Sequence, residues 1–555
     1  MWILRSHLLY TLLLMWQQNY TPLNGSLALS ALVAALPIFT LLFLLGVKRK
    51  PAWIAALSGL GATVLVALFL YQMPVSKMVG AATYGAAFGL FPIGWIVIWA
   101  VLLYRLTVES GKFESIKHSI GSLTQDRRLQ ALLIAFAFGA FMEGAAGFGT
   151  PVAVASAMLA GLGFSPFYAA AICLLANTAP VAFGSIAIPI VTLAGITGLP
   201  LDRLSAGVGR ICAPVSLFVP AYLVLVMGGW SALRGVLPAA IVCGISFAGM
   251  QFFISNFVGP QLTDLAGSIA AMASLVVLFL IWKPKDKYVP KDGIASVTVI
   301  AENRPSGGQV LLAWSPYLLL VVCVLLWGFN QKTLNSVTKF IPWPSLHNQI
   351  ARIPPVTAAV SPYPALFKLD WLAASGTACM IASFLSAIVL RMSPLQFLKV
   401  LATTLRQLAL SLVTLAAVLA LAFLMNYSGA TATLGLAFAA TGASFPFFSA
   451  ILGWLGVFLT GSDTSANALF GNLQVVTASH LGLNPVLMAA SNSSGGVMGK
   501  MISLSSIAVA ACATGMAQRD ESGLFRFTMK HSVFLASVIG LIVLFYAYVA
   551  PGLQP

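Results

Sequence analysis

The chain has 555 residues, of which 59% are hydrophobic and only 8% are charged, and its mean hydropathy is +0.96. A water-soluble protein of this length needs far more charged surface, so the composition excludes a soluble globular protein. Many of the basic residues behind the net charge of +16 stand in short hydrophilic segments beside apolar runs. That positive-inside pattern indicates membrane topology and leaves nucleic-acid binding as a weak alternative.

Apolar runs of about 20 residues recur along the chain, which predicts an all-α polytopic membrane protein with about 12 to 14 transmembrane helices. Residues 1–26 are predicted to form an N-terminal extension and a periplasmic start. Residues 27–282 then form a first transmembrane half, 283–308 a cytoplasmic linker, and 309–555 a second half. The predicted spans lie near 27–46, 52–72, 84–106, 211–228, 235–257, 264–282, 309–328, 371–390, 407–425 and 533–550.

Two regions interrupt this regular pattern, at about 129–200 and about 430–515, because both are rich in Gly and small residues and nearly uncharged. They contain what we interpret as the only two acidic residues inside long apolar stretches, Glu143 and Asp463, and one basic residue, Lys500. A charge at membrane depth costs roughly 2.5–3.5 kcal/mol on insertion scales, so these positions indicate a functional site. A hydrogen-bonded structural acid and a snorkelling lysine are the alternatives.

The two regions resemble one another as an internal repeat. Residues 139–144 resemble 456–461, 162–166 resemble 481–485, and 177–184 resemble 492–499. Paired Gly- or Pro-interrupted segments in two halves are typical of secondary transporters, where broken or re-entrant helices expose backbone groups to a cavity. We therefore expect breaks at 144–149 and 493–496, whose N–H groups face an anion. Close helix packing through small residues is the alternative for single glycines.

Four motifs carry a resemblance to a known family. They are Glu-Gly-Ala-Ala-Gly-Phe-Gly at 143–149, Asn-Thr-Ala-Pro-Val-Ala-Phe-Gly at 177–184, Gly-Trp-Leu-Gly-Val-Phe-Leu-Thr-Gly-Ser-Asp-Thr-Ser at 453–465 and Gly-Lys-Met-Ile-Ser at 499–503. With residues 352–356 and 367–371, they make the chain similar to the bacterial L-lactate permease family, which includes glycolate permeases. The resemblance runs from about residue 15 to the end, so residues 1–14 are interpreted as an upstream extension or as the result of a misplaced start. Leu504 stands where the family often carries proline.

The resemblance implies a proton symporter of L-lactate, D-lactate and glycolate in the bacterial inner membrane, with the lipid bilayer, protons and these small anions as partners. Glu143 and Asp463 are the proton-coupling candidates, and Glu143 is favoured because its sequence neighbours are apolar and small. The substrate-binding candidates are Gly144, Gly147, Gly149, Thr150, Asn177, Thr178, Ser462, Thr464, Ser465, Asn467, Asn492, Ser493, Ser494 and Lys500.

Other functions find less support in the residues. The sequence shows no nucleophile–base or metal constellation and no phosphate-binding loop, so we expect no enzyme, no ATP-driven pump, no metal and no cofactor. A channel would conduct without saturable, pH-coupled uptake. A sodium-coupled carboxylate transporter of the same fold is the main alternative, because Asp463 and exposed carbonyls could hold Na⁺.

Overall fold

The computed structural model describes residues 15–147, 149–286, 306–517 and 520–555, and most of these residues are helical. The predicted extension at 1–14 and residues 287–305 of the predicted linker at 283–308 lie outside the described residues. Up to residue 286 the helices are α1 Leu27–Ala34, α2 Leu36–Gly46, α3 Ala52–Leu65, α4 Val75–Phe88, α5 Trp95–Glu109, α6 Lys112–Gly121, α7 Arg127–Gln130, α8 Gly139–Ala145, α9 Thr150–Gly161, α10 Pro166–Ala176, α11 Gly184–Thr197, α12 Leu201–Phe257 and α13 Thr263–Ile281.

From residue 306 onward they are α14 Gly307–Phe329, α15 Gln331–Leu334, α16 Ser375–Val389, α17 Pro394–Ser428, α18 Ala430–Phe438, α19 Phe445–Thr460, α20 Asp463–Leu481, α21 Pro485–Gly499, α22 Leu504–Thr514 and α23 Glu521–Leu544. Short π-helical turns extend several of them, and the one at Ala131–Phe138 joins α7 to α8. The predicted all-α membrane architecture with broken helices is therefore confirmed.

Nine helices in the described residues are long and apolar enough to cross a membrane, or up to twelve if each of three bent pairs is one span. The 57-residue helix α12 counts once in that number, although it folds back on itself at Gly229, where φ is 71° and ψ is −166°. Arg210 Nε lies 2.8 Å from Asn256 Oδ1. A straight helix would hold these residues roughly 70 Å apart. Two antiparallel crossings therefore lie where spans near 211–228 and 235–257 were predicted.

The proline-rich segment between α15 and α16 forms short strands, which the sequence did not predict. They are β2 Lys339–Pro342, β3 Ile350–Arg352, β4 Ser361–Pro362 and β5 Leu366–Leu369, together with β1 Trp16–Gln17. One sheet has the order β1-β3-β4, with Trp16 paired in parallel to Ile350. The other pairs β2 with β5 in antiparallel fashion. Proline cannot continue a helix, so this segment takes extended backbone.

A buried arginine joins two aspartates, one just before α7 and one in the segment that follows α13. Arg128 Nη1 lies 2.6 Å from Asp286 Oδ2, and Arg128 Nη2 lies 2.7 Å from Asp126 Oδ2. The Arg128 side chain is fully buried, and its hydrogen bonds hold the pKa of Asp286 below its usual range. The cluster fixes the start of α7 against the segment that follows α13.

The two predicted turns at 162–166 and 481–485 lie at opposite ends of α23, which belongs to a span reaching from Glu521 to Val549. Phe167, beside the first turn, has its ring centroid 5.6 Å from that of Phe527, near the start of α23. Asn484, in the second turn, donates to the carbonyl of Pro555 beyond the other end of α23 (3.4 Å). The helix pairs α9–α10 and α20–α21 therefore enter the fold from opposite faces of the membrane.

One predicted break is wrong. Residues 493–496 are not interrupted but lie inside α21, which is helical from Pro485 to Gly499, and the chain breaks only after it. A Cβ at Gly495 would collide with the backbone of Ala450, and one at Gly496 would collide with Asp463. The small residues thus allow close packing of α21 on its neighbours, and their N–H groups stay in the helical hydrogen-bond ladder.

Candidate functional site

Glu143 lies in α8, two residues before that helix ends. It is 5% exposed, and its Oε2 atom has no hydrogen-bond partner among the residues that the structure describes. Two glycines make the space for the carboxyl group: a Cβ at Gly184 would stand 2.6 Å from Glu143 Oε1, and a Cβ at Gly147 would stand 3.4 Å from it. The break after α8 and the start of α11 therefore enclose this acid together.

A left-handed turn supports the same break. Ser185, Ile186 and Ala187 have φ of 47°, 58° and 61°, so three consecutive residues with side chains leave the right-handed helical region. Each such residue costs roughly 1–2 kcal/mol. Ser185 Oγ donates to the carbonyl of Ala146 at 2.8 Å, which ties this turn to the chain just after α8. The backbone around Glu143 is thus held by tertiary contacts against its own conformational preference.

Asn177 follows α10 and brings an amide to Glu143. Asn177 is 4% exposed, its amide lies beside the Glu143 carboxyl group, and it has no other hydrogen-bond partner among the described residues. The neighbouring Thr178 differs, because its Oγ1 donates to the carbonyl of Leu175 at 2.8 Å. The structure therefore brings Asn177 into the predicted site, whereas the Thr178 hydroxyl donates its proton to the backbone of its own turn.

Asp463 begins α20, behind the N-cap residue Ser462, whose Oγ accepts from the Ser465 N–H at 3.2 Å. Asp463 Oδ2 accepts from Ser493 Oγ at 2.5 Å and from Asn467 Nδ2 at 3.3 Å, while Oδ1 has no partner. The predicted residues Asp463, Ser493 and Asn467 therefore meet. Two donors can stabilise an ionised Asp463, whereas Glu143 Oε2 has none.

A chain of buried amides continues from Asp463. Asn467 Nδ2 also donates to the carbonyl of Pro189 at 3.1 Å, and its Oδ1 accepts from Asn492 Nδ2 at 2.9 Å. Gln474 Nε2 donates to Asn492 Oδ1 at 3.0 Å, and Ser449 Oγ donates to Gln474 Oε1 at 2.8 Å. The network joins α11, α19, α20 and α21. Sequence reasoning missed Gln474 and Ser449 because both lie inside regular helices without a motif around them.

Lys500 begins the short turn after α21 and is half-buried. Its Nζ donates to the carbonyl of Gly461, at the C-terminal end of α19, at 2.6 Å. The ammonium is close enough to attract both Glu143 and Asp463. Among the described residues, however, the ion pairs within 4 Å do not include Lys500. An ammonium has three donors, so Lys500 can hold Gly461 and still meet an anion.

The remaining predicted residues have mixed positions. Gly149 has φ of 81° and precedes α9, and Ser494 is fully buried with an Oγ that has no partner. Gly144 packs against α13, because a Cβ there would stand 2.8 Å from Asp264 Cβ. The half-buried residues are Thr150, Thr464 and Ser465.

Asp264 is a third buried acid among the described residues, at the edge of a span and not inside an apolar stretch as Glu143 and Asp463 are. Asp264 is 1% exposed, and neither of its carboxyl oxygens has a partner among the described residues. In sequence it opens a predicted span, where an acidic residue usually faces water. Its burial follows from the packing of α13 on Gly144, which the local sequence around Asp264 does not predict.

A polytopic helical fold whose interrupted helices bring buried acids, amides and a lysine together defines a membrane transporter rather than an enzyme. The chain belongs to the L-lactate permease family, whose model matches residues 30–550. The family predicted from the motifs is thus confirmed, and the protein is a multi-pass membrane protein.

Characterised relatives match over nearly the whole length. The chain is 46% identical to an L-lactate permease of Bacillus subtilis, over 97% of this chain and 100% of the relative. It is 46% identical to the glycolate permease GlcA of Escherichia coli (97% and 99%) and 43% identical to an L-lactate permease of the same organism (98% and 100%). Among solved structures, it is similar to the efflux pump MtrF of Neisseria gonorrhoeae (TM-score 0.47, 12% identity, 87% of this chain and 86% of that chain). It is also similar to the transporter YdaH of Alcanivorax borkumensis (TM-score 0.45, 17% identity, 86% and 89%).

Proposed function

We propose that this protein takes up L-lactate and related 2-hydroxymonocarboxylates, including D-lactate and glycolate, across the bacterial inner membrane together with protons. Relatives at 43% to 46% identity are named L-lactate permease or glycolate permease, which supports this substrate class. In this proposal the two predicted repeated halves provide the two faces of access, since α9–α10 and α20–α21 enter from opposite sides.

Proton coupling follows from the charge of the substrate. Moving one unit of negative charge inward against the membrane potential costs about 2.3 kcal/mol per 100 mV. A proton that travels with the anion cancels this cost and leaves the pH gradient as the driving force. The carrier then needs an acid that takes up a proton on one side and releases it on the other.

The observation that carries the proposal is the environment of Glu143. An ionised carboxylate that is buried with a single neighbouring amide as its donor is unfavourable, so Glu143 can be buried at low cost only with a proton or with a cation beside it. Lys500 is near enough to attract the ionised form. We assign the coupling proton to Glu143. We assign Asp463, with its two hydrogen-bond donors, to shaping the pocket.

The substrate carboxylate would be met by Lys500 and by the amide of Asn177. Both groups act on Glu143, and each has more than one N–H, so each can hold its protein partner and still donate to an anion. An anion bound there neutralises Lys500, removes its attraction for the ionised Glu143 carboxylate, and thereby favours a protonated Glu143. Substrate and proton would then bind as a neutral pair.

Uptake of radiolabelled L-lactate into proteoliposomes, with an imposed inward pH gradient, tests the proposal. Wild type should accumulate lactate. Glu143→Gln should lose accumulation by at least about 100-fold, because a neutral amide can neither take up nor release the proton. It should keep lactate–lactate exchange. Glu109→Gln, at an exposed carboxyl at the end of α5, is the matched control and should behave as wild type.

Sodium coupling is the competing outcome. Uphill uptake that needs a Na⁺ gradient at constant pH would reject the proton assignment, and full accumulation by Glu143→Gln would reject the role of Glu143. The described residues contain no group of three or more His, Cys, Asp or Glu side chains arranged to hold a metal ion.

A further inference from the structure

We propose that Asp264 is a positioning residue for proton coupling: it keeps its own proton and, when Glu143 ionises, donates a hydrogen bond to it, so that Glu143 alone binds and releases protons. The hydrogen bond between Asp264 and Glu143 does not depend on what the protein transports. The role of that hydrogen bond in proton coupling rests on the proposed function.

The helices that carry the two acids touch at these residues. Gly144 follows Glu143 directly, and a Cβ at Gly144 would stand 2.8 Å from Asp264 Cβ and 3.2 Å from the Leu265 backbone nitrogen. The missing side chain therefore lets α13 approach α8 at the level of the acid. Glu143 and Asp264 are close enough for their charges to repel one another when both are ionised.

The usual structural role of an acid at this position does not apply. Asp264 lies in the first turn of α13, where a carboxylate can cap the free N–H groups of a helix. The structure shows no side-chain cap at this end, and both Asp264 oxygens lack a partner. A buried acid with no donor and with a second acid beside it can avoid the cost of an unpaired charge by remaining protonated.

The surroundings of the two acids differ in one decisive way. Lys500 attracts Glu143 and Asp463, whereas the charged group that acts on Asp264 is Glu143 itself. The other titratable group at the pair is the buried thiol of Cys212 in α12, which senses Asp264 and Asp463. Cys173 in α10 and Cys243 in α12 are buried on helices that pack nearby, and α9 and α11 contain no ionisable side chain.

Two adjacent carboxyl groups in different surroundings separate into a permanent acid and a titrating one. A protonated Asp264 has one O–H donor, and the ionised Glu143 carboxylate is the strongest acceptor beside it. That hydrogen bond stabilises the deprotonated Glu143. It therefore lets Glu143 release its proton to the cell interior instead of retaining it.

Carbodiimide labelling measures the protonation of Glu143 and Asp264 directly. Dicyclohexylcarbodiimide modifies protonated carboxyl groups in apolar surroundings, and peptide mass spectrometry locates the product. In purified wild-type protein, Glu143 labelling should fall with rising pH, while Asp264 labelling should persist to the highest pH tested. Asp264→Ala should move the midpoint of Glu143 labelling upward by roughly 1 to 2 pH units, the usual worth of a hydrogen bond to a charged group.

The amide variant Asp264→Asn separates the donor from the acid. An amide still donates to Glu143, so its labelling midpoint should stay within about 0.3 pH units of wild type. Asp202→Ala, at an exposed carboxyl near the start of α12, is the matched control and should not move it.

Three results would overturn the proposal. They are loss of Asp264 labelling in the same pH range as that of Glu143, an unchanged midpoint in a folded Asp264→Ala protein, and a shift in Asp264→Asn as large as in Asp264→Ala. Protection of both acids by Na⁺ at constant ionic strength would also overturn it, in favour of a cation site. If Asp264→Ala does not fold, the wild-type labelling profile of Asp264 still decides. Labelling needs no transport, so failure of proton-driven uptake with an intact labelling pattern would reject the proposed function alone.

Discussion

Gly184→Ala places one methyl group against the Glu143 carboxyl group. Gly184 has φ of −61° and ψ of 153°, which alanine adopts without strain, so the effect is purely steric. The new Cβ would stand 2.6 Å from Glu143 Oε1, 3.1 Å from Cγ and 3.2 Å from Cδ, whereas ordinary contact begins at 3.4 Å. The carboxyl oxygen must therefore retreat by about 0.8 Å. Overpacking of this kind costs roughly 1–3 kcal/mol of stability.

The effect on transport should exceed the effect on folding. A displacement of about 1 Å in a reacting group can reduce a rate by about 100-fold, so we expect lactate accumulation driven by a pH gradient in proteoliposomes to fall by roughly 10- to 100-fold. Lactate–lactate exchange, which does not need the proton on Glu143, should be largely retained. The protein should remain monodisperse and bind detergent normally.

Gly161→Ala is the matched control, because Gly161 lies at the end of α9 with nothing within 4 Å of its added Cβ. That variant should transport within about 2-fold of wild type and gain roughly 0.4–1 kcal/mol of stability from the helix propensity of alanine. Wild-type accumulation by Gly184→Ala under a pH gradient, with Glu143 labelled normally by carbodiimide, would refute the reasoning that this contact positions the acid.

Two further predictions concern the hydrogen bonds around Asp463 and the cluster at Arg128. Ser493→Ala removes the 2.5 Å hydrogen bond to Asp463 Oδ2 and should raise the half-saturation concentration for lactate about 5- to 20-fold. The matched control Ser479→Ala, at an exposed helix serine, should leave that concentration unchanged. Equal effects of the two substitutions would exclude a role of Ser493 in the site. Arg128→Ala leaves Asp126 and Asp286 without their ion-pair partner and should lower the free energy of unfolding by about 3 kcal/mol. This is the low end for a broken buried ion pair, because the Asp286 side chain is 48% exposed. The change is measured by tryptophan fluorescence during heating. Since Arg128 lowers the pKa of Asp286, this contribution is present above about pH 4 and is lost only as the pH falls through that lowered pKa, so a loss of Arg128-dependent stability between pH 5 and 8 would contradict the assignment.

The sequence predicts the features that depend on composition and local pattern. The interrupted regions and the turns at 162–166 and 481–485 follow from Gly and Pro, and most of the predicted spans coincide with helices. The predicted span near 84–106 is divided at Phe91, however, and the one near 371–390 is the 15-residue helix α16. The cost argument for buried charge selected Glu143, Asp463 and Lys500, and these residues do lie near one another. Their assignment to proton coupling and substrate binding stays a prediction.

The features that sequence does not predict depend on packing between distant helices. Asp264 looks like an ordinary residue at the edge of a span until α13 docks on Gly144. Residues 493–496 look like a break because Gly and Ser weaken helices, yet contact with α19 keeps them helical. Thr178 resembles a substrate ligand by composition, but its hydroxyl is used by the backbone of its own turn. In each case the burial or conformation of the residue depends on which helix or backbone group packs against it.

The left-handed turn at Ser185, Ile186 and Ala187 has a consequence for how this chain can change over evolutionary time. Glycine would relieve the backbone at each of these positions, and the three together cost roughly 3–6 kcal/mol in a class of molecule whose net stability is often 5–15 kcal/mol. Selection for stability alone would therefore replace them with glycine. Side chains at these positions therefore lower the stability of the protein. At Ser185 the hydroxyl holds the carbonyl of Ala146, and with it the loop beside Glu143, in a single arrangement that glycine could not maintain.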